Sequence, residues 1–299
     1  MRYKRTRCLF FYTQYAILTI MINIPILYED DNCLFINKPA GLSVHADGKS
    51  DQYTLADWIL EKYPTLLAVG EPIKMQVRGE EISIPKPGIV HRLDKDTSGV
   101  MLLAKTHEAY EFFKKQFQAH EIAKIYHCFV YGWIKEDQQT IDSPIGRDAG
   151  NIRRWVVGNL ARGMMRDAVT HIQVLKRFGA PMQGSKRVVV AEAPIGGSTE
   201  KGTYSFVEAR PRTGRTHQIR VHLRSINHPI VSDSLYAQKR EPALGFTRQA
   251  LHARELRLAL PNGETKTVVA PYPEDFKRAL EQENIGSLEH KNNKQENKG

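Results

Sequence analysis

A dense polar string runs directly into an unbroken apolar one: His91-Arg92-Leu93-Asp94-Lys95-Asp96-Thr97-Ser98-Gly99 is followed by Val100-Met101-Leu102-Leu103-Ala104. The apolar run reads as a buried strand. Any fold this chain adopts must cover that strand while leaving the polar string at its mouth. Pro85-Lys86-Pro87-Gly88 punctuates the upstream side as a loop, because proline fixes φ and glycine permits φ > 0. Asp96-Thr97-Ser98-Gly99 has turn composition, with side chains able to bond their own backbone. Asp94 is therefore expected on a tight loop at a sheet edge, held by its neighbours. A base, two carboxylates and two hydroxyls in so short a loop make a candidate site. The plainer reading is an ordinary ion pair between Asp94 and Arg92.

The segments around this string predict many strands and few helices. Runs on either side of Asp30-Asp31-Asn32 predict a hairpin over residues 26–38, closed by the rigid turn Lys38-Pro39-Ala40-Gly41. Helical spacing of Leu55, Trp58, Ile59 and Tyr63, with Thr54 as cap, predicts a helix over 54–67, and a second is expected over 106–120. Residues 68–84 show no strong period and read as a loop. Strands are expected at 124–133, 169–178, 187–193, 204–210, 255–260 and 266–269, with a helix near 273–280. The fold class that follows is α+β, with a large mixed or antiparallel sheet.

Charge narrows the partner. Lys plus Arg number 43 against 33 for Asp plus Glu, a formal net charge of +10, which favours a polyanion, with nucleic acid ahead of an acidic membrane. The stretch 147–166 carries Arg147, Arg153, Arg154, Arg162 and Arg166 and reads as a flexible loop able to close over an anion. Cys8, Cys33 and Cys128 lack CxxC spacing, so the thiols fit a reducing, cytoplasmic setting rather than a disulfide framework or a zinc site. Gly48-Lys49-Ser50 suggests a phosphate loop, but the first glycine such a loop needs would fall at Ser43.

The termini read as additions to a single folded unit over 23–280. Residues 1–22 join basic residues to an apolar stretch that is interrupted by polar side chains, ends at Pro25 and shows no cleavage pattern. They are expected to lie outside the fold, with Met21 as a candidate working start and membrane attachment as the lesser alternative. Residues 281–299 are polar and should fray.

A second dense stretch, 210–224, places Arg210, Arg212, Arg215, Arg220 and Arg224 around Thr213-Gly214 and Thr216-His217. Gly214 and Thr216 read as turn and N-cap of a helix over 218–226, with Ile219, His222 and Leu223 on one face and Arg220 and Arg224 on another. Such a surface suits phosphates. His217, His222 and His228 are spaced by five and six, which does not stack two imidazoles on one helical face, so no metal is expected.

Taken together these strings resemble the RluA-type pseudouridine synthases. The resemblance is carried by YEDDNCLFINKPAGLSVH at 28–45, HRLDKDTSG at 91–99, KIYHCFVYG at 124–132, PIGRD at 144–148, ARPRTGRTHQIRVHL at 209–223 and ALHA at 250–253, in the family's order. It implies the pseudouridine synthase fold, a mostly antiparallel mixed sheet flanked by helices around a central RNA-binding cleft. It also implies the reaction, in which a uridine is detached at N1, rotated and rejoined through C5 without metal, cofactor or energy source. By the same resemblance Asp94 is the catalytic carboxylate, Tyr126 lines the pocket and is a candidate for proton transfer, and Arg220 pairs with the aspartate. Arg92 helps displace the base, which must leave its stack to be reached. His91, Arg212, Arg215 and Arg224 complete the expected RNA contacts. Many relatives carry an N-terminal S4-type domain; only about 25 residues precede the first motif here, too few for one. Substrate choice is then expected to rest on 147–166 and on the arginines of 210–224, in a protein that acts as a monomer on tRNA or ribosomal RNA. A non-catalytic RNA-binding role on the same fold is the competing expectation.

Overall fold

The computed structural model describes residues 22–46, 52–77, 80–158, 161–179, 202–283 and 285. The expectations for residues 1–21, the Gly48-Lys49-Ser50 string, the strand at 187–193 and most of the polar tail lie outside those residues.

Strand β1 (Ile26–Glu29) turns into β2 (Cys33–Lys38) at Asp30, whose Oδ1 accepts from the backbone N–H groups of Asn32 and Cys33 at 2.8 and 2.7 Å. Helix α1 (Leu55–Lys62) begins at a reciprocal capping box between Thr54 and Asp57, which satisfies donors that a helix start leaves orphaned. It is shorter than expected because Pro64 cannot continue it, and a 3-10 turn (Pro64–Ala68) follows. Residues 73–84, read above as loop, instead pair as β3 (Ile73–Val77) and β4 (Glu80–Ile84) in a two-stranded sheet of their own. The short alternation Ile73-Lys74-Met75-Gln76-Val77 was the signal, masked by its charges.

Strand β5 (Ser98–Ala104) is buried at every position, as its composition requires. Helix α2 (His107–Gln118) is capped by Thr106, and β6 (Ala123–Tyr131), β7 (Gln138–Asp142), β8 (Ile145–Asp148), β9 (Trp155–Val157), β10 (Ala161–Arg166), β11 (Val169–Phe178) and β12 (Tyr204–Pro211) follow. After α3 (Gln218–Ser225) come β13 (Leu251–Ala259), β14 (Thr265–Val269) and α4 (Glu274–Gln282). Nine strands form one sheet in the order β1-β2-β5-β13-β6-β12-β11-β7, with β14 on β13. Every pairing in it is antiparallel except β5 with β13. β5 is thus an interior strand, and the loop carrying Asp94 enters the middle of the sheet rather than an edge. Gly99 explains how β5 and β13 approach: a Cβ there would lie 2.1 Å from the carbonyl oxygen of Ala253, so only glycine fits.

Adjacent residues of a strand face opposite ways, so Tyr126 and His127 in β6 mark the two faces of the sheet. On the back face α4 covers Phe129 and His252 through Phe276, at ring separations of 5.5 and 5.6 Å. On the front face α3 packs Ile219 and Leu223 into the core. The basic stretch 147–166 is a three-stranded sheet, β10-β8-β9, and not the expected flexible loop. A small cluster of Ile145, Ala168, Val221 and Tyr236 fastens it to α3, while Arg147, Arg153, Arg162 and Arg166 stay exposed. No helix among the described residues is long and apolar enough to cross a membrane.

Candidate active site

The loop before β5 is gripped residue by residue from distant parts of the chain. Lys38, fully buried at the end of β2, donates from Nζ to the carbonyl oxygens of Pro39, Leu42 and Lys95 at 2.7, 2.9 and 3.0 Å. Burial pushes its amine down to about 7, and the three carbonyls take up the three donors of an ammonium. Arg248 donates to the carbonyl oxygen of Asp96 at 2.9 Å, and Gln249 Nε2 to Thr97 Oγ1 at 2.8 Å. The loop closes on itself through Thr97 N–H to Asp94 O. With its neighbours thus tied, Asp94 presents a partly exposed carboxylate.

Its partner is Arg220, not Arg92. Arg220 donates from Nη1 to Asp94 Oδ2 at 2.9 Å and from Nε and Nη2 to both oxygens of buried Asp233 at 2.7 and 2.9 Å. Burial alone would lower the pKa of this guanidinium, but the bond to Asp233 and the two carboxylate charges raise it, so it stays cationic. Asp233 Oδ1 also accepts from the N–H groups of Leu235 and Tyr236, and the Tyr236 ring lies 5.0 Å beneath the Arg220 guanidinium. The arrangement is a clamp: a bidentate carboxylate and an aromatic plate fix the arginine, and the arginine fixes one oxygen of Asp94. Among the described residues Oδ1 of Asp94 accepts no hydrogen bond. His217 Nε2 stands 3.9 Å from it.

Tyr126 packs between the two halves of the core, and burial followed by the charge of Asp94 pushes its phenol well up, so it remains protonated. Arg92 is exposed and bonds His45, Nη1 to Nε2 at 3.0 Å. Burial and the nearby cation lower the pKa of His45, which keeps it a neutral acceptor. A cavity of about 200 Å3 opens beside this pair, lined by Ser43, Val44, Leu93 and Lys95 as well.

The other expected contact residues divide. Arg212 and Arg224 are exposed and Arg215 is half-buried; Arg224 donates to Tyr236 O at 2.7 Å and Arg215 to Asp167 O at 3.0 Å. His91 does not face outward as an RNA ligand. Its Nε2 accepts from the Leu102 N–H at 2.9 Å, its ring stacks on Phe117 at 4.7 Å, and burial holds its pKa down to about 3. The N-cap of α3 is His217 with φ 56°, not Thr216, and it makes no side-chain cap bond; Gln218 Oε1 instead holds the preceding turn by accepting from Thr213 Oγ1 and Arg215 N–H at 2.6 and 3.0 Å. His222 is a core residue, bonded to Thr170 Oγ1 and Ser143 O, and no group of three potential metal ligands occurs among the described residues. Lys38, His217, Asp233, Tyr236, Arg248 and Gln249 were not singled out by sequence for this site. For Asp233 and Tyr236 the Val231-Ser232-Asp233-Ser234-Leu235-Tyr236 string, an acid set in a turn amid apolar residues, offered a signal.

Comparison with known proteins bears on this geometry. The family model described as RNA pseudouridylate synthase matches residues 32–225. An RNA pseudouridine synthase of Synechocystis is 36% identical over 261 residues, 86% of this chain and 69% of that protein. The ribosomal large subunit pseudouridine synthase D of Neisseria meningitidis serogroup B is 35% identical over 268 residues; the match spans 86% of this chain but only 60% of the relative. Among solved structures, human RNA pseudouridylate synthase domain containing 4 aligns with a TM-score of 0.59 and 25% identity, over 86% of this chain and 92% of that one. Human RNA pseudouridylate synthase domain containing 1 gives 0.60 and 24%, over 84% of each, a likeness of fold.

Proposed function

The chain belongs to the RNA pseudouridylate synthase family and is an isomerase of that kind; on that premise we propose that Asp94 carries the conversion of uridine to pseudouridine, with ribosomal RNA as the preferred substrate class and tRNA the alternative. One observation supports the assignment above the rest. A partly exposed carboxylate is held through a single oxygen by a buried arginine, which among the described residues leaves Oδ1 without a hydrogen bond.

The chemistry matches that arrangement. The N1–C1′ bond breaks, the uracil rotates, a C5–C1′ bond forms, C5 gives up its proton and N1 gains one, so atoms balance without a further reagent. An anchored anion at Oδ1 can attack or stabilise the electron-poor centre created when the glycosidic bond opens, and the clamp on Oδ2 spares the carboxylate reorganisation during the step. Tyr126 forms the wall against which the base lies and is the nearest candidate to relay a proton. Arg92, exposed and bonded to His45, enters the space vacated by the extruded base. The exposed arginines of β8 to β10, with Arg212, Arg215 and Arg224, hold phosphates; His91 has no place in this contact set. Ribosomal RNA is favoured by the names of the relatives from Neisseria and from Pseudomonas aeruginosa, the latter 36% identical over 267 residues and likewise a ribosomal large subunit pseudouridine synthase D.

The test is pseudouridine mapping on total RNA from cells with and without the gene. One site or a small set should vanish, in ribosomal RNA first. Purified protein should restore those sites on RNA from the deletion strain, and the Asp94→Asn protein should restore none while binding the RNA within about tenfold of wild type, ~1.4 kcal/mol. Equal product from the variant would remove Asp94 from the chemistry. Arg92→Ala should slow conversion of structured RNA more than of an unpaired fragment carrying the same uridine; equal slowing would assign Arg92 to holding His45 instead.

A further inference from the structure

His217 is a titratable side chain beside Asp94 that has no role in the reaction above. It sits at the first turn of α3 with φ 56°, a left-handed conformation that histidine and asparagine adopt more readily than most residues. Such a conformation persists where the surroundings hold it, and two groups flank the ring here. Nδ1 lies 2.9 Å from Tyr236 Oη, and Nε2 lies 3.9 Å from Asp94 Oδ1, the oxygen that Arg220 leaves alone.

The direction of the first contact follows from the hydroxyl's other bond. The backbone N–H of Trp155 donates to Tyr236 Oη at 3.0 Å, and that N–H can only donate. The hydroxyl proton has no other acceptor among the described residues, so it goes to Nδ1. A neutral imidazole that accepts at Nδ1 carries its proton on Nε2. Neutrality is also what the surroundings favour. Burial lowers the imidazole's pKa, Arg220 and Arg92 lower it further, and the carboxylates of Asp94 and Asp233 restore only part of the loss.

We propose that His217 is a second positioning residue for Asp94: a neutral imidazole whose Nε2–H faces Oδ1 and limits the directions that oxygen can take, its tautomer set by Tyr236 and, through Tyr236, by the main chain of β9. The division of labour is chemical. A cation bonded to Oδ1 would quench its reactivity, whereas a neutral donor at 3.9 Å, outside hydrogen-bond reach until the site tightens on substrate, orients it at little cost to its charge. The basic sheet that carries the exposed arginines is thereby linked toward Asp94 by two hydrogen bonds, from Trp155 N–H to Tyr236 and from Tyr236 to His217. The inference rests on Asp94 being the reacting carboxylate.

Three substitutions separate this role from a purely structural one. Glutamine places an amide N–H near the position of Nε2; asparagine places it near Nδ1 and tolerates the left-handed backbone better. Single-turnover conversion, with enzyme in excess over RNA from cells lacking the gene, should fall less than about tenfold in His217→Gln but by ~100-fold in His217→Asn and His217→Ala, with RNA affinity held. Asparagine equal to or better than glutamine would mean that only the backbone matters, and would overturn the proposal. A readout independent of turnover is the 15N NMR spectrum of the histidine ring nitrogens. His217 should show the Nε2–H tautomer in the wild type and lose that preference in Tyr236→Phe, and an Nδ1–H tautomer in the wild type would overturn the proposal whatever the rates. Failure of the wild-type protein to form pseudouridine would overturn instead the functional reading beneath it, a result distinguishable from either of these.

Discussion

The sheet carries a buried polar network on each face, and they are built to opposite ends. On the front, Asp233, Arg220, Tyr236 and His217 converge on Asp94 and leave one of its oxygens unbonded. On the back, a row of polar residues crosses the strands: Glu208 beside His127, His127 beside His252, and His252 beside Ser98. There His252 bonds Ser98 Oγ at 3.0 Å, His127 bonds the Tyr272 hydroxyl and Glu208, and Arg248 joins Ser98 to Asp275 of α4. The back network seals a helix onto a sheet. The front network spends the same kind of bonds to hold one group in a fixed, unsatisfied state, which is the mark of a site rather than of a core.

Substitutions that strip one face at a time should separate these roles. Asp233→Ala strands a buried guanidinium and should cost ~3–5 kcal/mol of stability. In the fraction that remains folded, Arg220 is free to take both oxygens of Asp94, so conversion should fall as well; urea unfolding and single-turnover assays on one preparation measure both. Glu208→Gln on the back face should cost stability with no change of rate per folded molecule, and a matching loss of rate would erase the distinction. Lys38→Met belongs to neither face and tests the loop itself. Three carbonyls lose a buried donor, for a cost of ~2–4 kcal/mol, and the loop carrying Asp94 loosens, so the rate per folded molecule should drop too.

The smallest expected effect is on the back face and reads out in pH. Burial holds His252 down to about 3, so between that value and the unfolded value near 6.5 the unfolded chain binds the extra proton. Stability is therefore present above pH 6.5 and is lost as pH falls toward 3. At pH 5 this one group should remove about 2 kcal/mol relative to pH 7. In His252→Gln that share of the acid slope should be missing from urea titrations at the two pH values, and an unchanged slope would mean that His252 is not the group responsible.

The front site was legible in sequence where its chemistry is written as contiguous strings. Asp94 and Arg220 stand in such strings, and the structure joins them across 126 residues. Strand β11 and the cap Thr54 were equally visible, because periodicity and capping are local properties. What was not legible depends on burial. Lys38 reads as an ordinary solvent-facing lysine at a strand end, and Asp233 as a turn residue; only the fold reveals that both are enclosed. His91 misled for the converse reason: beside Arg92 and Asp94 it looked like a ligand, while its ring serves the backbone of β5. The basic sheet β8 to β10 was mistaken for a loop because its glycines and arginines hide the pairing that anchors it.

The one parallel pairing that the described residues make within the large sheet, β5 with β13, has a consequence for how the protein is made. His252 sits opposite Ser98, so the strand that follows the Asp94 loop waits for a partner more than 150 residues further along the chain. Contacts of such sequence separation close late and slowly. Gln249 and Arg248, which grip that loop, arrive on the same late segment. A nascent chain that has just emerged past residue 225 carries Asp94, Tyr126 and Arg220 and still lacks a working site. Refolding followed at once by far-UV signal and by product formation should show activity trailing secondary structure, with β13 as the step between them.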